Sequence, residues 1–208
     1  MNRGKFIVFE GVDGSGKTTI SRMLQDKMEE MNLAIHHTCE PTRNPVGGLI
    51  RKIITKQVST NEQTIGALFL ADRLDHIQHP DYGMLQYLEK GEHVISDRYY
   101  YSSYAYHVPH LTMDWVINAN KLCADFLRPD LVLFLDIPVE ETLRRISDNR
   151  DSNDLFETEE RLTQVRNNYQ EAIKREGTKD NVQVVDATGT IEEVFASVWK
   201  KVSDLLSK

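Results

Sequence analysis

Eight consecutive residues near the start of the chain have types and spacing suited to phosphate chemistry: Gly11-Val12-Asp13-Gly14-Ser15-Gly16-Lys17-Thr18. They fit the pattern G-x-x-x-x-G-K-[ST], in which glycines let backbone N–H groups wrap around phosphate oxygens. Lys17 can bring its charge to the β- and γ-phosphates, and the hydroxyl of Thr18 is suited to Mg²⁺. A tight turn that needs only glycine would require neither side chain. The pattern therefore predicts a nucleoside triphosphate site, which extends to Thr19.

The residues around this loop indicate a strand before it and a helix after it, which is the context that the pattern requires. The apolar run at 6–9 predicts a buried strand, and a helix from about 17 to 31 would point its unpaired N–H groups at the phosphates. Further strands are predicted at 33–38, 94–97, 131–137 and 182–185. Because their apolar runs are continuous and helical segments separate them, we expect a three-layer α/β sandwich with a central five-stranded parallel sheet.

Two other segments carry charged residues that could complete a phosphate site. Asp97 and Arg98 follow a predicted strand, where parallel sheets place their ligands. Asp97 could hold Mg²⁺ through water and Arg98 could clamp a phosphate, although the two could instead pair as a structural cap; Asp136 is a rival carboxylate. The stretch at about 144–161 is dense in charge and nearly free of apolar residues, which is typical of either a solvated loop or a lid over a phosphate site.

Composition limits the classes of protein that remain. The chain has 208 residues and a net charge of −7, so we expect a single domain over 1–208 that does not bind a nucleic acid polymer. Two cysteines, Cys39 and Cys123, are too few for a disulfide framework. No apolar stretch approaches the roughly 18 residues of a membrane span. We therefore expect a cytoplasmic protein that does not associate with membranes.

Several blocks of the sequence resemble the thymidylate kinase family, in the family's order and spacing from residue 5 to about 206. These blocks are Phe9 to Thr19, Glu40-Pro41, Leu68 to Arg73, Asp97 to Tyr99 with Ser102-Ser103 and Ala105-Tyr106, Pro129 to Leu131, and Val185-Asp186-Ala187. The resemblance implies a P-loop fold of the nucleoside monophosphate kinase type. It also implies that the γ-phosphoryl group of ATP is transferred to dTMP with Mg²⁺, giving dTDP and ADP. The resemblance further implies a homodimer formed through helices that flank the sheet.

The resemblance further implies a role for individual residues on the dTMP side. Phe69 resembles the ring that stacks on thymine, Arg73 resembles the donor to a base carbonyl, and Ser103 lies where the family has a polar residue at the base edge. Tyr106 resembles the tyrosine that crowds the sugar 2′ position, and Asp13 resembles the carboxylate that meets the 3′-hydroxyl. The remaining acceptor residues are Pro41, the phosphate clamps Arg43 and Arg98, and Glu157 at the end of the lid.

Some of these residues also have a purely structural interpretation. Phe69 lies at helical spacing from Ile65 and could belong to the core. Tyr106 follows a run of tyrosines that could simply pack together. Asp72 and Arg73 could form a surface ion pair that contributes little to stability.

On the ATP side, the resemblance implies that Arg145 stacks near adenine and that the loop of Asp186 and Ala187 borders it. The catalytic set that it implies is Lys17, Asp13, Arg98 and Arg150. Because the phosphate loop contains no arginine, the charge that stabilises the transition state would come from the lid, as in bacterial-type members of the family, and Arg150 is the first choice.

Three positions depart from the family pattern. Cys39 replaces an arginine near the acceptor phosphate, His107 replaces a common glutamine, and Leu155 lies where the lid commonly has an arginine. These departures leave open another small P-loop deoxynucleotide or nucleoside kinase. A switch or scaffold that binds ATP and signals by its shape is a further alternative.

Overall fold

The computed structural model describes residues 3–108, 110–149 and 159–207. Three positions singled out in the sequence, Arg150, Leu155 and Glu157, lie outside these described residues. Most of the lid predicted at 144–161 lies outside them as well. Within that stretch the structure describes helical residues on both sides, up to 149 and again from 159.

The central sheet has five parallel strands in the order β2-β3-β1-β4-β5, which confirms the predicted α/β sandwich. The strands are β1 (Phe6–Glu10), β2 (Ile35–Cys39), β3 (His93–Asp97), β4 (Leu131–Asp136) and β5 (Val182–Asp186). All of β1 is buried, because helices cover both faces of the sheet. The second strand begins at Ile35 rather than at Leu33, and as an edge strand it is only partly buried.

Helices connect the strands and form the two outer layers. They are α1 (Lys17–Glu30), α2 (Pro45–Ile54), α3 (Glu62–Gln78), α4 (Met84–Glu89), α5 (Tyr100–Tyr106), α6 (Met113–Phe126), α7 (Val139–Asn149), α8 (Glu159–Glu176) and α9 (Ile191–Leu206). On one side α1 packs against α9, and elsewhere α5 packs against both α6 and α8. The last helix buries an apolar stripe that runs from Val194 to Leu205.

The parallel strands bring their carboxyl ends to one edge of the sheet, where open α/β folds bind their ligands. In the register of the sheet, Phe9 lies beside Asp97, and Cys39 lies on the other side of Asp97. Asp136 and Asp186 are neighbours at the same edge. The phosphate loop, which follows Glu10, therefore shares this edge with the end of β3.

A buried ionic network holds the end of β2 against α3 and α5. Arg73 on α3 is fully buried and donates to Glu40 Oε2 from Nε (2.8 Å), with Nη2 at 2.6 Å from the same oxygen. Its remaining N–H groups donate to Ser103 Oγ (3.0 Å), to Asn120 Oδ1 and to the carbonyl oxygen of Tyr99 (3.1 Å). The network therefore provides an acceptor for every N–H group of this guanidinium.

Two neighbouring side chains extend the network. His76 lies between Glu40 Oε1 (3.1 Å from Nδ1) and Thr38 Oγ1 (2.8 Å from Nε2). Asp72 accepts hydrogen bonds from the backbone N–H and the hydroxyl of Thr42, at 2.8 and 2.6 Å. The interpretation of Asp72 and Arg73 as a surface ion pair is therefore wrong, because both are buried and each has a different partner.

We expect the substitution Glu40→Ala to lower the free energy of unfolding by about 3–5 kcal/mol, because it leaves a buried guanidinium without its counter-ion. The measurement is urea unfolding followed by circular dichroism. Glu30→Ala is the matched control, since Glu30 pairs with Lys27 at an exposed helix end, and we expect it to cost less than about 1 kcal/mol. A similarly small loss for Glu40→Ala would contradict the importance assigned to the network.

Candidate active site

The loop between β1 and α1 has a backbone that favours glycine at two positions. Gly16, the residue before α1, has φ 89° and ψ 9°, in the left-handed region. Gly11 has φ 149°, and a Cβ there would lie 2.7 Å from Ser15 Oγ and 2.8 Å from the carbonyl oxygen of Leu135. These constraints explain why the pattern needs glycine at both ends of the loop.

Lys17 begins α1 and turns back over the loop. Its Nζ donates to the carbonyl oxygens of Gly11 (2.9 Å) and Val12 (2.8 Å). Burial, together with the positive charge of Arg98, lowers the pKa of Lys17 to about 8. The ammonium group is therefore held inside the loop, where phosphates would lie, and it remains mostly charged at neutral pH.

The residues expected to hold Mg²⁺ have properties that fit this ion. Asp97 is largely buried, and its Oδ1 has no hydrogen-bond partner; the imidazole Nε2 of His37 lies 3.8 Å away. Thr18 is exposed in the first turn of α1. No group of three or more His, Cys, Asp or Glu in the described part of the chain could hold a metal ion on its own. Mg²⁺ keeps several waters and shares phosphate oxygens, so it needs few protein ligands.

Arg98 has φ 74°, and its guanidinium lies between the phosphate loop and α5. It forms an ion pair with Asp13, donates to Ser102 Oγ (3.0 Å) and Tyr169 OH (3.2 Å), and lies 4.9 Å from the ring centre of Tyr106. Burial opposes its charge, but Tyr106 and Asp13 raise the pKa of Arg98 well above its usual value. Its partner is Asp13, in the loop, and not the adjacent aspartate.

The residues expected around the base lie on α3 and α5. Phe69 is half-buried, and its ring lies 5.1 Å from that of His107, outside the main core. Burial lowers the pKa of His107 to about 4, so this imidazole is neutral at pH 7. Ser103 is buried and receives a hydrogen bond from Arg73, whose N–H groups all have protein acceptors. A base carbonyl could therefore reach Arg73 only by sharing one of these donors.

The run of tyrosines contains residues that pack in the core and one residue that lies at the site. Its first members pack together in the core, as a structural interpretation would have it: Tyr99, Tyr100, Tyr101 and Tyr104. Tyr106 differs from them, because it is only partly buried, its hydroxyl lies 3.4 Å from Asp13 Oδ2, and Arg98 stacks on its ring. The run therefore supplies both core residues and one residue of the site.

An arginine that the sequence did not single out lies beside Cys39. Arg51 on α2 donates to the carbonyl oxygens of Thr42 (3.1 Å) and Pro41, and its Nη2 is 3.6 Å from Cys39 Sγ. Arg43 is exposed and lines the same cleft as Arg51. Arg51 thus places a positive charge beside Cys39, the position at which the family pattern has an arginine.

A cleft of about 1120 Å³ lies at the carboxyl edge of the sheet. Arg43, Arg98 and Arg145 line it with the phosphate loop, whereas Phe69 and Ser103 do not. Arg145 donates to the carbonyl oxygen of Ala187 (3.0 Å), which joins the middle of α7 to the loop after β5. Within that loop, Asp186 Oδ1 accepts hydrogen bonds from the backbone N–H and the hydroxyl of Thr188.

The rival carboxylate has a structural role. Asp136 accepts two hydrogen bonds from Arg166 on α8, from Nε at 2.7 Å and from Nη2 at 2.9 Å. This bidentate pair occupies both carboxylate oxygens. Asp97 is therefore the better candidate for the metal.

Comparison with known proteins identifies the family. The family model described as thymidylate kinase matches residues 9–198. A probable thymidylate kinase of Methanococcus aeolicus is 34% identical, with 96% of each chain covered. Probable thymidylate kinases of Pyrococcus horikoshii and Methanocaldococcus jannaschii are 36% and 35% identical, with 94% and 93% of each chain covered. The expected fold and dTMP kinase activity are thereby confirmed, and the chain belongs to the thymidylate kinase family.

Proposed function

We propose that the enzyme transfers the γ-phosphoryl group of ATP to dTMP by positioning and charge stabilisation, without a strong base. The acceptor phosphate is already an anion, so its deprotonation is not the difficulty. The observation that carries this proposal is that Arg98 Nη1 lies 3.4 Å from the carbonyl oxygen of Gly11. A guanidinium suited to the acceptor phosphate and the loop suited to the donor phosphates therefore share one cleft.

On the donor side, the loop from Gly11 to Thr19 holds the triphosphate. Lys17 exchanges its two carbonyl acceptors for oxygens of the β- and γ-phosphates. Arg145, together with Asp186 and Ala187, borders the adenine, a role supported by the hydrogen bond between Arg145 and this loop. Mg²⁺, when bound, neutralises charge on the phosphates, and Thr18 and Asp97 would hold it, Asp97 through water.

On the acceptor side, Arg98 and Arg43 clamp the phosphate of dTMP beside Pro41. Phe69 stacks on thymine, supported by its half-exposed ring on α3. Asp13 and Tyr106 face the sugar at the 3′ and 2′ positions, which is supported by their contact with each other. The remaining roles at the base edge belong to Ser103 and Arg73, of which Arg73 also holds Ser103 in place.

Properties of the whole chain support a location for the protein and a size for its substrates. No helix in the described ranges is long and apolar enough to cross a membrane. Both cysteines, Cys39 and Cys123, are free, which supports a reducing, cytoplasmic compartment. The net charge of −7 supports mononucleotides rather than nucleic acid polymers as substrates.

An acceptor screen tests the proposed reaction. With ATP and Mg²⁺, we expect ADP release to be fastest with dTMP and much slower with other monophosphates and with nucleosides, and chelation of the metal should abolish it. Lys17→Ala should keep the fold and lose nearly all turnover, because the charge on the β- and γ-phosphates is gone. Preference for another acceptor would favour a sibling kinase, and slow turnover without acceptor preference would favour a nucleotide switch.

The lid assignment makes a separate prediction. We expect Arg150→Ala to lower kcat by about 10³-fold while changing the Kd of dTMP by less than about threefold, because the charge acts only in the transition state. Glu157, at the other end of the lid, is proposed to approach the substrate and metal. Arg144→Ala is the matched control, since Arg144 bonds Glu141 on an exposed face of α7. Unchanged turnover of the Arg150 variant would remove this assignment.

A homodimer is also part of the proposal. Trp115, Leu122 and Phe126 are about half exposed and lie on one face of α6, at spacings of seven and four residues. This apolar face is suited to a second copy of the chain, as the family resemblance implies. We expect sedimentation velocity to give a dimer for the wild type and a monomer for Leu122→Arg. Met31→Arg, at an exposed apolar residue after α1, should remain dimeric, and a monomeric wild type would contradict the proposal.

A further inference from the structure

The hydroxyl of Tyr169 lies at the centre of the site, although none of the roles above uses it. Tyr169 is on α8 and is fully buried. Its hydroxyl lies 2.9 Å from Glu10 Oε2, 2.9 Å from Ser102 Oγ and 3.4 Å from the carbonyl oxygen of Gly11. It also accepts a hydrogen bond from Arg98 Nη1, at 3.2 Å. One hydroxyl from the far end of the chain thus contacts β1, the phosphate loop and α5.

The direction of these hydrogen bonds is set by Glu10. This buried carboxylate accepts from the backbone N–H groups of Tyr99 (2.8 Å) and Ser102 (3.1 Å) through Oε1. Its Oε2 accepts from the hydroxyls of Ser102 (2.6 Å) and Tyr169 (2.9 Å). Burial raises the pKa of Glu10, but its four hydrogen-bond donors and the charge of Arg98 favour the ionised form. A carboxylate can only accept, so the proton of Tyr169 points to Glu10 and an oxygen lone pair is left to face Arg98.

The guanidinium of Arg98 is therefore held by acceptors on both of its terminal nitrogens. Nη1 donates to Tyr169 and Ser102, and Nη2 forms the ion pair with Asp13. The ring of Tyr106 covers one face of the group. An incoming anionic group would compete with Asp13 for the charge of Arg98, so it can take the place of this partner. The hydroxyl of Tyr169 is neutral and buried, so an anion does not compete with it for the charge of Arg98.

We infer that Tyr169 is a positioning residue for the acceptor phosphate, whose hydroxyl, fixed by Glu10 and Ser102, orients the guanidinium of Arg98. The inference rests on the proposed role of Arg98 as a phosphate clamp. It gives α8, the first described helix after the segment 150–158, a direct hydrogen bond to the acceptor side of the site. A tyrosine that served only to fill the core would need its ring but not its hydroxyl.

The test is Tyr169→Phe, which keeps the ring and removes only the hydroxyl. We expect the Kd of dTMP to rise about tenfold, the order for a hydrogen bond to a charged group, and the Kd of ATP to change by less than about twofold. The decisive comparison is thymidine, which lacks the phosphate: its affinity should be unchanged. A merely structural role would weaken dTMP and thymidine alike, and that result would overturn the inference, as would an unchanged affinity for dTMP.

Tyr100→Phe is the matched control, because Tyr100 is a buried tyrosine of α5 whose hydroxyl has no hydrogen-bond partner. We expect it to bind dTMP and thymidine as the wild type does. Ser102→Ala is a second variant, which removes the other hydroxyl between Glu10 and Arg98, and it should also weaken dTMP without weakening thymidine. Equal weakening of both ligands by this variant would count against the inference.

Failure of the inference is distinguishable from failure of the proposed function. A wild-type enzyme that does not bind dTMP would contradict the proposed function. In that case the Kd values of the wild type and of Tyr169→Phe are compared for the monophosphate preferred in the acceptor screen and for its own nucleoside. A wild type that binds dTMP, with a Tyr169→Phe variant that binds it equally well, would overturn the inference alone.

Discussion

The ion pair between Arg98 and Asp13 joins the two halves of the site. It connects the end of β3 to the phosphate loop after β1, and it does so in a largely buried setting where an unpaired charge would be costly. Without a ligand, Asp13 supplies the negative charge that this guanidinium requires. In the roles proposed for Arg98 and Asp13, the acceptor phosphate supplies the same charge, so its binding replaces one counter-ion by another and frees Asp13 to meet a sugar hydroxyl.

Arg73 and Arg98 differ in burial, and this difference distinguishes a structural charge from one that a ligand can reach. Arg73 is enclosed, with Glu40 as counter-ion and a neutral acceptor for each remaining N–H group. Arg98 borders the cleft, and the group that balances its charge, Asp13, is itself half-exposed. The first arginine therefore stabilises the arrangement of β2, α3 and α5. The second keeps a charge that a ligand can reach.

The parts of the molecule that could be predicted from sequence depend on residues that are close together in the chain. The phosphate loop is read from eight consecutive positions, and the sheet is read from short apolar runs between helical segments. The contact of Tyr169 with Glu10 spans 159 residues, and no local pattern marks it. The burial of Arg73 could not be predicted for a related reason: its acceptors lie just after β2, at the start of and within α5, and in α6, which only the folded chain brings together.

Position 39 has a cysteine where the family pattern has an arginine, and the site nevertheless keeps a positive charge there. In the family pattern an arginine at this position would lie at the end of β2, whereas here Arg51 reaches the same place from α2. Arg51 is anchored on the carbonyl oxygens of Pro41 and Thr42, the residues that follow the strand. Its position is thus tied to the backbone of the loop that carries Arg43. Charge in the cleft is consequently set by how helices pack at the sheet edge, which explains how a chain with a net charge of −7 can gather guanidinium groups around phosphates.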